Sequence, residues 1–348
     1  MNKTAAVILP LIIIALSAFI FSAVTAKPVM AAERINETGA AAAASLSSAP
    51  PENKGIALKV MSYNIAAGQG VKNDSTDYVG VKYLDEAVKL INSENADLIG
   101  MQEVDDNRFT SRFVDQAKYI ASRAGMHYYW KEASARGPFD KINKHGNSVM
   151  SKYKILKKEC VKYKSKGKKS DSGAATETRA FTFALVEIND VKINFISTHL
   201  GFPETARVGQ AKELIDYVKK LNGPVIMTGD FNTTQGSESY KIITAVLKDS
   251  YTAAASKGEG ATSPGRAPKN RIDFVFFSKN DFICEKAYAG GDNYKTASDH
   301  RPFFAILKLK GPDAAGALNN KTPQKSGTGS ASDGAKILEL QKSLFDAK

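Results

Sequence analysis

Polar residues that can move protons or bind phosphate stand at or beside the ends of several short apolar runs. One run, Pro224 to Met227, leads into Gly229-Asp230-Phe231-Asn232. A carboxylate here could hold a water molecule and an amide could orient it, while imidazoles elsewhere in the set could transfer a proton near neutral pH. The full set comprises Asn64, Glu103, His199, Asp230, Asn232, Asp273, Asp299 and His300.

The donor atoms of this set narrow the chemistry. Each residue taken singly could be a cap, half of a surface ion pair or a structural histidine, but apolar strands have little structural reason to end so often in such groups. Oxygen donors without a cysteine cluster favour Mg²⁺ or Mn²⁺ over structural zinc. This chemistry suits phosphoester hydrolysis. The chain has no G-x-S-x-G elbow, P-loop or dinucleotide fingerprint.

Short strands are predicted to position the first two residues of the set. Apolar residues alternate from Ile56 to Ile65, which predicts a strand with Asn64 at its exit. A Gly-rich loop and a helix around 84–91 follow. The next apolar run, after Asp97, predicts a buried strand that delivers Glu103 at its end. A helix over 112–126 and a strand containing Tyr128-Tyr129-Trp130 come next, and the aromatic rings favour a core role.

In the second half of the chain, predicted strands again end beside residues of the set. Strands over 181–188 and 191–198 are separated by Asn189-Asp190, a turn signal that predicts an antiparallel hairpin ending beside His199. A helix over 204–221 precedes the strand that ends at Asp230. Two later strands, near 271–277 and 301–307, flank Asp273 and His300. Strands and helices interleave through 56–310 without a linker or a repeat, which predicts one domain.

The two ends of the chain differ in composition from its middle. Lys3 precedes an apolar run from Ala5 to Val24, typical of a signal peptide or an uncleaved signal anchor within 1–26, so we expect export. Residues 27–55 are rich in Ala, Ser and Pro and are predicted to be a disordered linker. Residues 311–348 are predicted to be a flexible tail with a short amphipathic helix.

The net charge of +12 favours an anionic partner. Much of it lies in the lysine-rich segment 152–169, which is either a solvated hairpin or a patch that recruits a polyanion. Its lysines are Lys152, Lys154, Lys157, Lys158, Lys162, Lys164, Lys166, Lys168 and Lys169. The two cysteines, Cys160 and Cys284, could pair in an oxidising compartment, but two cysteines do not define a disulfide framework.

Seven short motifs follow one another along the chain. They are Ser62-Tyr63-Asn64, Gln102-Glu103, Gly146-Asn147-Ser148, Thr198-His199-Leu200, Gly229-Asp230-Phe231-Asn232, Arg271-Ile272-Asp273 and Ser298-Asp299-His300. In this order they resemble the motifs of the endonuclease/exonuclease/phosphatase superfamily, which includes deoxyribonuclease I-like nucleases, exonuclease III-type enzymes, inositol polyphosphate 5-phosphatases and neutral sphingomyelinases. The resemblance spans nearly all of 56–310 and implies a catalytic domain with an α/β fold, a four-layer sandwich of two packed mixed β-sheets flanked by helices.

The resemblance also implies a role for each residue. Glu103 would be the main ligand of Mg²⁺ (or Mn²⁺), with Asn64 and Asp299 beside it. Asp230 and Asn232 would hold the attacking water. Asp273 would orient His300, which would act as a base or a phosphate contact, and His199 would contact the phosphate or act as a general acid. Two further residues, Arg179 and Asn147, are candidate substrate-binding groups, although Arg179 could equally be a strand-edge charge.

Three functions remain open for the sequence. The first is an exported, Mg²⁺-dependent phosphodiesterase that acts on a lipid headgroup or another small phosphodiester. The second is an exported non-specific nuclease, favoured by the charge. The third is a binding module on the same fold, which is disfavoured because every expected catalytic position is filled. The Thr198-His199 pair is atypical of exonuclease III-like repair enzymes, and export also argues against repair. A monomer is expected.

Overall fold

The computed structural model describes residues 55–71, 81–108, 111–135, 144–166 and 178–310. The predicted signal peptide or anchor and tail lie outside these residues, as does the predicted linker except for Gly55. Within the described ranges, no helix is both long and apolar enough to cross a membrane. The predicted domain limits of 56–310 stay a prediction.

Two β-sheets form the centre of the fold. The first has seven strands in the order β10-β12-β13-β1-β2-β4-β3, and the second has six in the order β5-β6-β7-β8-β11-β9. Both sheets are mixed, because β1 pairs with β2 and β7 with β8 in parallel while most other neighbours are antiparallel. The strands are β1 Ala57–Asn64, β2 Leu98–Asp106, β3 His127–Ala135, β4 Lys144–Ser151, β5 Ile155–Lys162, β6 Ala180–Ile188, β7 Val191–His199, β8 Val225–Asp230, β9 Leu247–Asp249, β10 Ser256–Lys257, β11 Asp273–Ser278, β12 Phe282–Ala289 and β13 Phe303–Leu309.

Four of the described α-helices lie on the outer faces of the sheets, and the short fifth one packs at the border of the apolar cluster between them. The helices are α1 Lys82–Glu94, α2 Gln116–Ala124, α3 Glu204–Val218, α4 Glu238–Thr244 and α5 Ser250–Ala253. Helix α2 begins later than the predicted residue 112 because Arg112 and Phe113 have φ of 52° and 60°, and the side chain of Asp115 caps it by accepting from the Lys118 amide. It ends where Gly125 adopts φ of 63°, a left-handed conformation that glycine tolerates.

Three apolar clusters separate four layers. Between the sheets pack residues such as Val60, Phe195 and Val275. The outer face of the seven-stranded sheet packs on α1 and α2 through Leu84 and Ile120, among others. A third cluster joins the six-stranded sheet to α3 and α4. The predicted four-layer α/β sandwich is therefore confirmed. Strands such as β11 are nearly continuous apolar runs, and because successive side chains point to opposite faces, such strands give the sheet two apolar faces.

The strand directions bring the polar residues to one edge of the sandwich. Parallel pairing of β1 with β2 and of β7 with β8 places the carboxyl ends of these four strands at one end of the sheets. Strand β11 is antiparallel to β8, and its first residue, Asp273, pairs with the last residue of β8, Asp230. The predicted β6–β7 hairpin is present, with φ of 47° and 64° at Asn189 and Asp190.

Strand β2 differs from its predicted form in one functional detail. It continues three residues past Glu103, to Asp106. Glu103 has φ of 53°, and the register with β4 shifts between Met101 and Val104, so the residue lies at a β-bulge inside the strand. The bulge turns the carboxylate away from the apolar face that Met101 and Val104 share.

The two cysteines lie on different sheets. Cys160 is on β5, at the edge of the six-stranded sheet, and Cys284 is on β12 of the other sheet. Both are free thiols in this structure, so the pairing left open by the sequence is not made. Burial raises the pKa of Cys160 to about 11 and that of Cys284 to about 12, which keeps both protonated and unreactive near neutral pH.

Candidate active site

Asp230 lies at the centre of the candidate site, at the end of β8. Its side chain is almost fully buried, and its Oδ1 accepts a hydrogen bond from the backbone N–H of Asn232 at 2.9 Å. Its Oδ2 lies 3.4 Å from Nε2 of His199 and 3.7 Å from Nε2 of His300. Burial raises the pKa of Asp230 to about 7, with the Asp273 carboxylate adding to the increase and His300 opposing it. Asp230 is thus balanced between its two protonation states near neutral pH.

Asn64 connects the two sheets at this point. Its Nδ2 donates to Oδ2 of Asp230 at 2.9 Å and to Oε1 of Glu103 at 3.1 Å. Its Oδ1 accepts from the amide of Ala66 at 3.0 Å, which fixes the amide nitrogen toward the carboxylates because a backbone N–H can only donate. Asn64 therefore presents its nitrogen, not its oxygen, to the acidic edge in this structure, and its predicted role as a metal ligand stays a prediction.

His300 is held by the carboxylate of Asp273. The Nδ1 of His300 lies 2.8 Å from Oδ2 of Asp273, and both side chains are largely buried. Burial alone would lower the pKa of His300, but the Asp273 and Asp230 carboxylates together raise it to about 10. The imidazole is consequently protonated near neutral pH and donates from both nitrogens. The expected Asp273–His300 contact is present.

His199 is held by Arg179 from the opposite side. Nη1 of Arg179 lies 2.6 Å from Nδ1 of His199. A guanidinium has no acceptor, so Nδ1 must accept, and the ring proton is on Nε2, which faces Asp230. Burial and then the Arg179 charge lower the pKa of His199 well below its ordinary value. His199 is therefore a neutral imidazole with a defined tautomer, while His300 is a cation.

The two asparagine candidates are placed differently. Nδ2 of Asn232 donates to the carbonyl of Leu200 at 2.8 Å and lies 3.0 Å from Nε2 of His199. Both nitrogens carry protons in this tautomer, so this second contact is not a hydrogen bond. Asn147 is buried, and its Nδ2 donates to the carbonyl of Ala180 in the other sheet at 2.7 Å. Asn147 therefore lines a small cavity next to His199 while its amide hydrogens also join the two sheets.

Half-buried carboxylates lie at the outer side of the site. Glu103 is joined to the site by the hydrogen bond that it accepts from Nδ2 of Asn64. Asp299 is close enough for its charge to raise the pKa of His300. The turn that carries Asp299 is fixed because Oγ of Ser298 donates to the Asn64 carbonyl at 2.7 Å. Hard oxygen donors on this side suit a divalent cation such as Mg²⁺.

A second group of three could also hold a cation. Ligand atoms of Asp230, Asp273 and His300 all lie within 4.8 Å of one another, and all three residues are buried. However, Nδ1 of His300 is already bonded to Asp273, and a protonated imidazole offers no lone pair to a metal. The donor chemistry therefore fits a cation better on the Glu103 side of the site.

Several residues that support the site were not singled out from the sequence. Oγ1 of Thr262 lies 3.3 Å from the Asp273 amide and accepts from it, and Arg301 is buried with its Nε donating to the Gly265 carbonyl at 2.8 Å. His145, whose Nδ1 lies 2.7 Å from Oδ1 of Asp105, lines the same small cavity as Arg179. The sequence held one indication that His145 belongs near the site, because the chain has only four histidines.

Known structures share this fold. An endonuclease/exonuclease/phosphatase from Bacteroides vulgatus superposes with a TM-score of 0.59 at 22% identity, over 73% of this chain and 100% of that one. A mannosyl-6-phosphatase from Bacteroides thetaiotaomicron gives 0.57 at 21% identity, over 72% and 99%. The human Nocturnin catalytic domain with bound sulfate gives 0.55 at 18% identity, over 76% and 100%. At these identities the likeness concerns the fold.

The sequence itself identifies the family. Among curated proteins, none matches the chain significantly. The model of the Endonuclease/Exonuclease/phosphatase family matches residues 61–300, which is more than half of the chain and includes every residue of the site. The chain therefore belongs to the endonuclease/exonuclease/phosphatase family, whose members are generally hydrolases of phosphoester bonds and typically depend on a divalent metal.

Proposed function

We propose that the protein is an exported, Mg²⁺-dependent phosphodiesterase of a lipid headgroup or another small phosphodiester. One observation carries the catalytic part of the proposal. A buried carboxylate, Asp230, lies between a neutral imidazole and a protonated one, with Oδ2 at 3.4 Å from His199 and 3.7 Å from His300. A carboxylate with a purely structural role needs only one hydrogen-bonding partner. Phosphoester hydrolysis needs a general base for the attacking water and hydrogen-bond donors for the phosphate oxygens.

Each group then has a distinct task. Asp230, with a pKa raised to about 7, accepts a proton from the attacking water, which Asn232 helps to orient. The protonated His300, held by Asp273, donates to a non-bridging phosphate oxygen. His199 donates from Nε2 without carrying charge, and Arg179 keeps it in that tautomer. A divalent cation held by Glu103 and Asp299, with Asn64 beside them, would supply positive charge for the phosphate oxygens.

A substrate panel tests this proposal. Release of phosphocholine from a choline phospholipid, phosphate from mannose 6-phosphate, and acid-soluble nucleotide from DNA is measured with Mg²⁺ and then with EDTA. We expect hydrolysis of the phosphodiester headgroup that EDTA abolishes and that Glu103→Ala removes. Activity that survives EDTA or Glu103→Ala would contradict the mechanism, and release from DNA alone would favour the second candidate.

The second candidate is a non-specific nuclease, which one observation favours. Strand β5 carries several lysines of the lysine-rich segment, and its carboxyl end adjoins the site because the amide of Tyr163 donates to the Arg179 carbonyl at 2.9 Å. Lys157, Lys158 and Lys162 are exposed along this edge strand. We infer that this edge attracts an anionic surface or polymer and guides it toward Arg179.

Export and the monomeric state complete the proposal. Export is supported by the apolar run from Ala5 to Val24. Expression of the full chain followed by cell fractionation, with N-terminal sequencing of the product, distinguishes a cleaved signal peptide from an anchor. A product found only in the cytoplasm would contradict export. Sedimentation of the purified protein tests the monomer.

A further inference from the structure

Two phenylalanines are exposed at the end of the sandwich that holds the candidate active site. Phe202 lies in the turn that follows β7 and His199, and it is 63% exposed. Phe113 lies in the segment that follows β2, the strand that carries Glu103, and it is 53% exposed. Among the described residues, these are the two most exposed large apolar side chains. Because β2 and β7 both end at the site, each sheet supplies one exposed aromatic ring there.

The backbone of the Phe202 turn is fixed by contacts with α3. The N–H of Gly201 donates to Oε1 of Gln210 at 2.9 Å, and the Gln210 side chain is itself buried. The Gly201 carbonyl accepts from Nη1 of Arg207 at 3.4 Å, while Nε of Arg207 donates to the Glu204 carboxylate at 2.7 Å. An ordered turn that leaves its ring in water presents that ring to a partner with little further loss of conformational entropy.

Arg207 adds a cation to this surface. Its guanidinium lies 5.9 Å from the centroid of the Phe202 ring. No described residue accepts a hydrogen bond from Nη2 of Arg207, and this nitrogen is in contact with solvent. The guanidinium can therefore donate to a phosphate oxygen while the ring beside it contacts apolar groups.

The opposite end of the sandwich carries a competing surface. A groove of about 470 Å³ lies there, between the starts of β3 and β5. Its lining combines exposed apolar side chains with lysines, namely Tyr128, Leu156, Lys154, Lys157 and Lys158. At the start of β3, His127 pairs with Ser151, which in turn pairs with Leu98 at the start of β2. A membrane bound to this groove would therefore leave the active site at the far end of the strands.

We propose that Phe202, Phe113 and Arg207 form the surface through which the protein contacts the phospholipid bilayer that carries its substrate. The inference rests on the proposed function and names the partner of that site. Asp230 is buried at this end of the sandwich, so a headgroup that remains in a bilayer reaches it only when this end faces the membrane. Aromatic rings and arginines suit this boundary, because the rings enter the edge of the acyl region while a guanidinium pairs with lipid phosphates.

A tryptophan introduced at position 202 reports which end of the protein faces the membrane. The chain has one tryptophan of its own, Trp130, which is partly buried. Phe202→Trp adds a second one at the proposed surface. Ile283→Trp is the matched control, because Ile283 is 52% exposed and lies near the start of β12, at the opposite end of the sandwich.

Fluorescence is measured in EDTA with phosphatidylcholine vesicles whose acyl chains are brominated. Phe202→Trp is expected to show a blue shift and a loss of emission beyond those of wild type, and Ile283→Trp is expected to show neither. The apolar run from Ala5 to Val24 is the same in every variant, so a difference between variants reports the orientation of the folded part. Emission of Phe202→Trp that matches wild type overturns the proposal.

Two further arms identify the other occupants. Tyr128→Trp reads the competing groove, and quenching there without quenching at position 202 would make the lysine-lined groove the membrane surface. Quenching of Phe202→Trp by an oligodeoxythymidylate but not by vesicles would make the ring a contact for nucleic acid. Either result overturns the proposal.

Phe202→Ser tests the consequence for hydrolysis. The measured quantity is the rate on a choline phospholipid in vesicles divided by the rate on bis(p-nitrophenyl) phosphate, a soluble diester. This ratio is expected to fall about tenfold, because burial of one phenylalanine side chain contributes on that order to binding. Ile283→Ser is the control and is expected to keep the wild-type ratio. An unchanged ratio in Phe202→Ser would contradict the proposal.

The two assays separate this inference from the proposed function. If the soluble diester is hydrolysed but position 202 stays in water, the function stands and the bilayer contact is wrong. If neither substrate is hydrolysed, the function fails for these diesters, and the emission of Phe202→Trp still decides the contact.

Discussion

At the scale of single residues, the protonation states of three neighbouring groups differ although all three are buried. His300 faces two carboxylates and is a cation, whereas His199 faces a guanidinium and is neutral. Asp230 lies between them with a pKa raised to about 7. Groups whose surroundings drive their pKa values apart can act as acid and base at the same pH. The division of labour follows from which charged residue each ring faces.

The first prediction concerns turnover. Asp230→Asn and His300→Ala are each expected to lower kcat by at least about 100-fold, because groups that act on protons or charge in the transition state contribute on that order. Steady-state kinetics on the phosphodiester found in the substrate panel measures the effect. Circular dichroism and thermal denaturation must show that both variants are folded. Near-normal rates in a folded variant would reject the role of that residue.

The second prediction concerns the tautomer and charge of His199. Arg179→Met removes the cation that lies 2.6 Å from Nδ1 of His199. We expect the pKa of His199 to rise, because the Arg179 charge holds it down, but to stay below its ordinary value since burial is the larger cause. An NMR pH titration of the metal-free protein measures the change. Arg207→Met is the control, and a pKa that falls or does not move in Arg179→Met would contradict the assignment.

At the scale of elements, a buried ion pair fixes the strand that presents Asp273. Nη1 and Nη2 of Arg271 donate to the two oxygens of Asp249 at 2.8 Å and 2.7 Å. The guanidinium also lies 4.4 Å from the ring centroid of Phe274 and 4.7 Å from that of Tyr251. This contact joins β9 and α5 to the start of β11, next to the active site.

The third prediction tests this pair. Asp249→Ala is expected to destabilise the protein by about 3–5 kcal/mol, because it leaves a buried guanidinium without a counter-charge. Urea denaturation measures the free energy of unfolding. Lys131→Ala is a matched control, since the Lys131–Glu132 pair has a lysine side chain that is 50% exposed, and removal of such a pair is expected to cost no more than about 0.5 kcal/mol. Equal effects of the two substitutions would contradict the argument.

The positions of the strands could be predicted from the sequence more readily than their partners. The β6–β7 hairpin followed from apolar alternation around Asn189-Asp190, which are the residues that tolerate positive φ. Strands β4 and β5 are consecutive in the chain but enter different sheets. The period of the pattern reports which face is apolar and does not report which strand lies alongside.

The same distinction holds for the site. The order of the motifs predicted that Asn64, Glu103 and Asp230 belong to one site, and in the structure Asn64 donates to both carboxylates. The bulge at Glu103 could not be predicted, because it arises from pairing with β4 and not from the local sequence. The orientation of the Asn64 amide likewise depends on a backbone N–H two residues away. Such details are set by tertiary contacts that a linear pattern does not record.

At the scale of the whole molecule, the described sheets end shortly after the family match. Strand β13 runs to Leu309 and pairs with both β1 and β12, so it is an interior strand of the seven-stranded sheet. The family match ends at residue 300. The residues that follow 310 are therefore expected to be separable from the catalytic unit.

The fourth prediction follows from that boundary. Deletion of residues 311–348 is expected to leave kcat on a small substrate within about twofold of wild type, because every residue assigned a catalytic, metal-binding or substrate-binding role lies at or before His300. A rate assay and a melting curve on the truncated protein measure this. As a contrasting variant, deletion from residue 303 removes β13 and is expected to abolish folding. A large loss of turnover in the 311–348 deletion would show that the tail belongs to the catalytic domain.

Gly100 has a consequence for how activity and stability are related. A Cβ at this position would collide with Oγ1 of Thr228 in the facing sheet, and Gly100 pairs with Ser62, two residues before Asn64. The distance between the two sheets at Gly100 therefore sets the distance between Asn64 on one sheet and Asp230 on the other. Widening it by one methyl group would misalign the catalytic groups in a protein that still unfolds as a unit. Overpacking of a buried position typically costs about 1–3 kcal/mol, so activity and the melting temperature would both report the spacing of the sheets at Gly100.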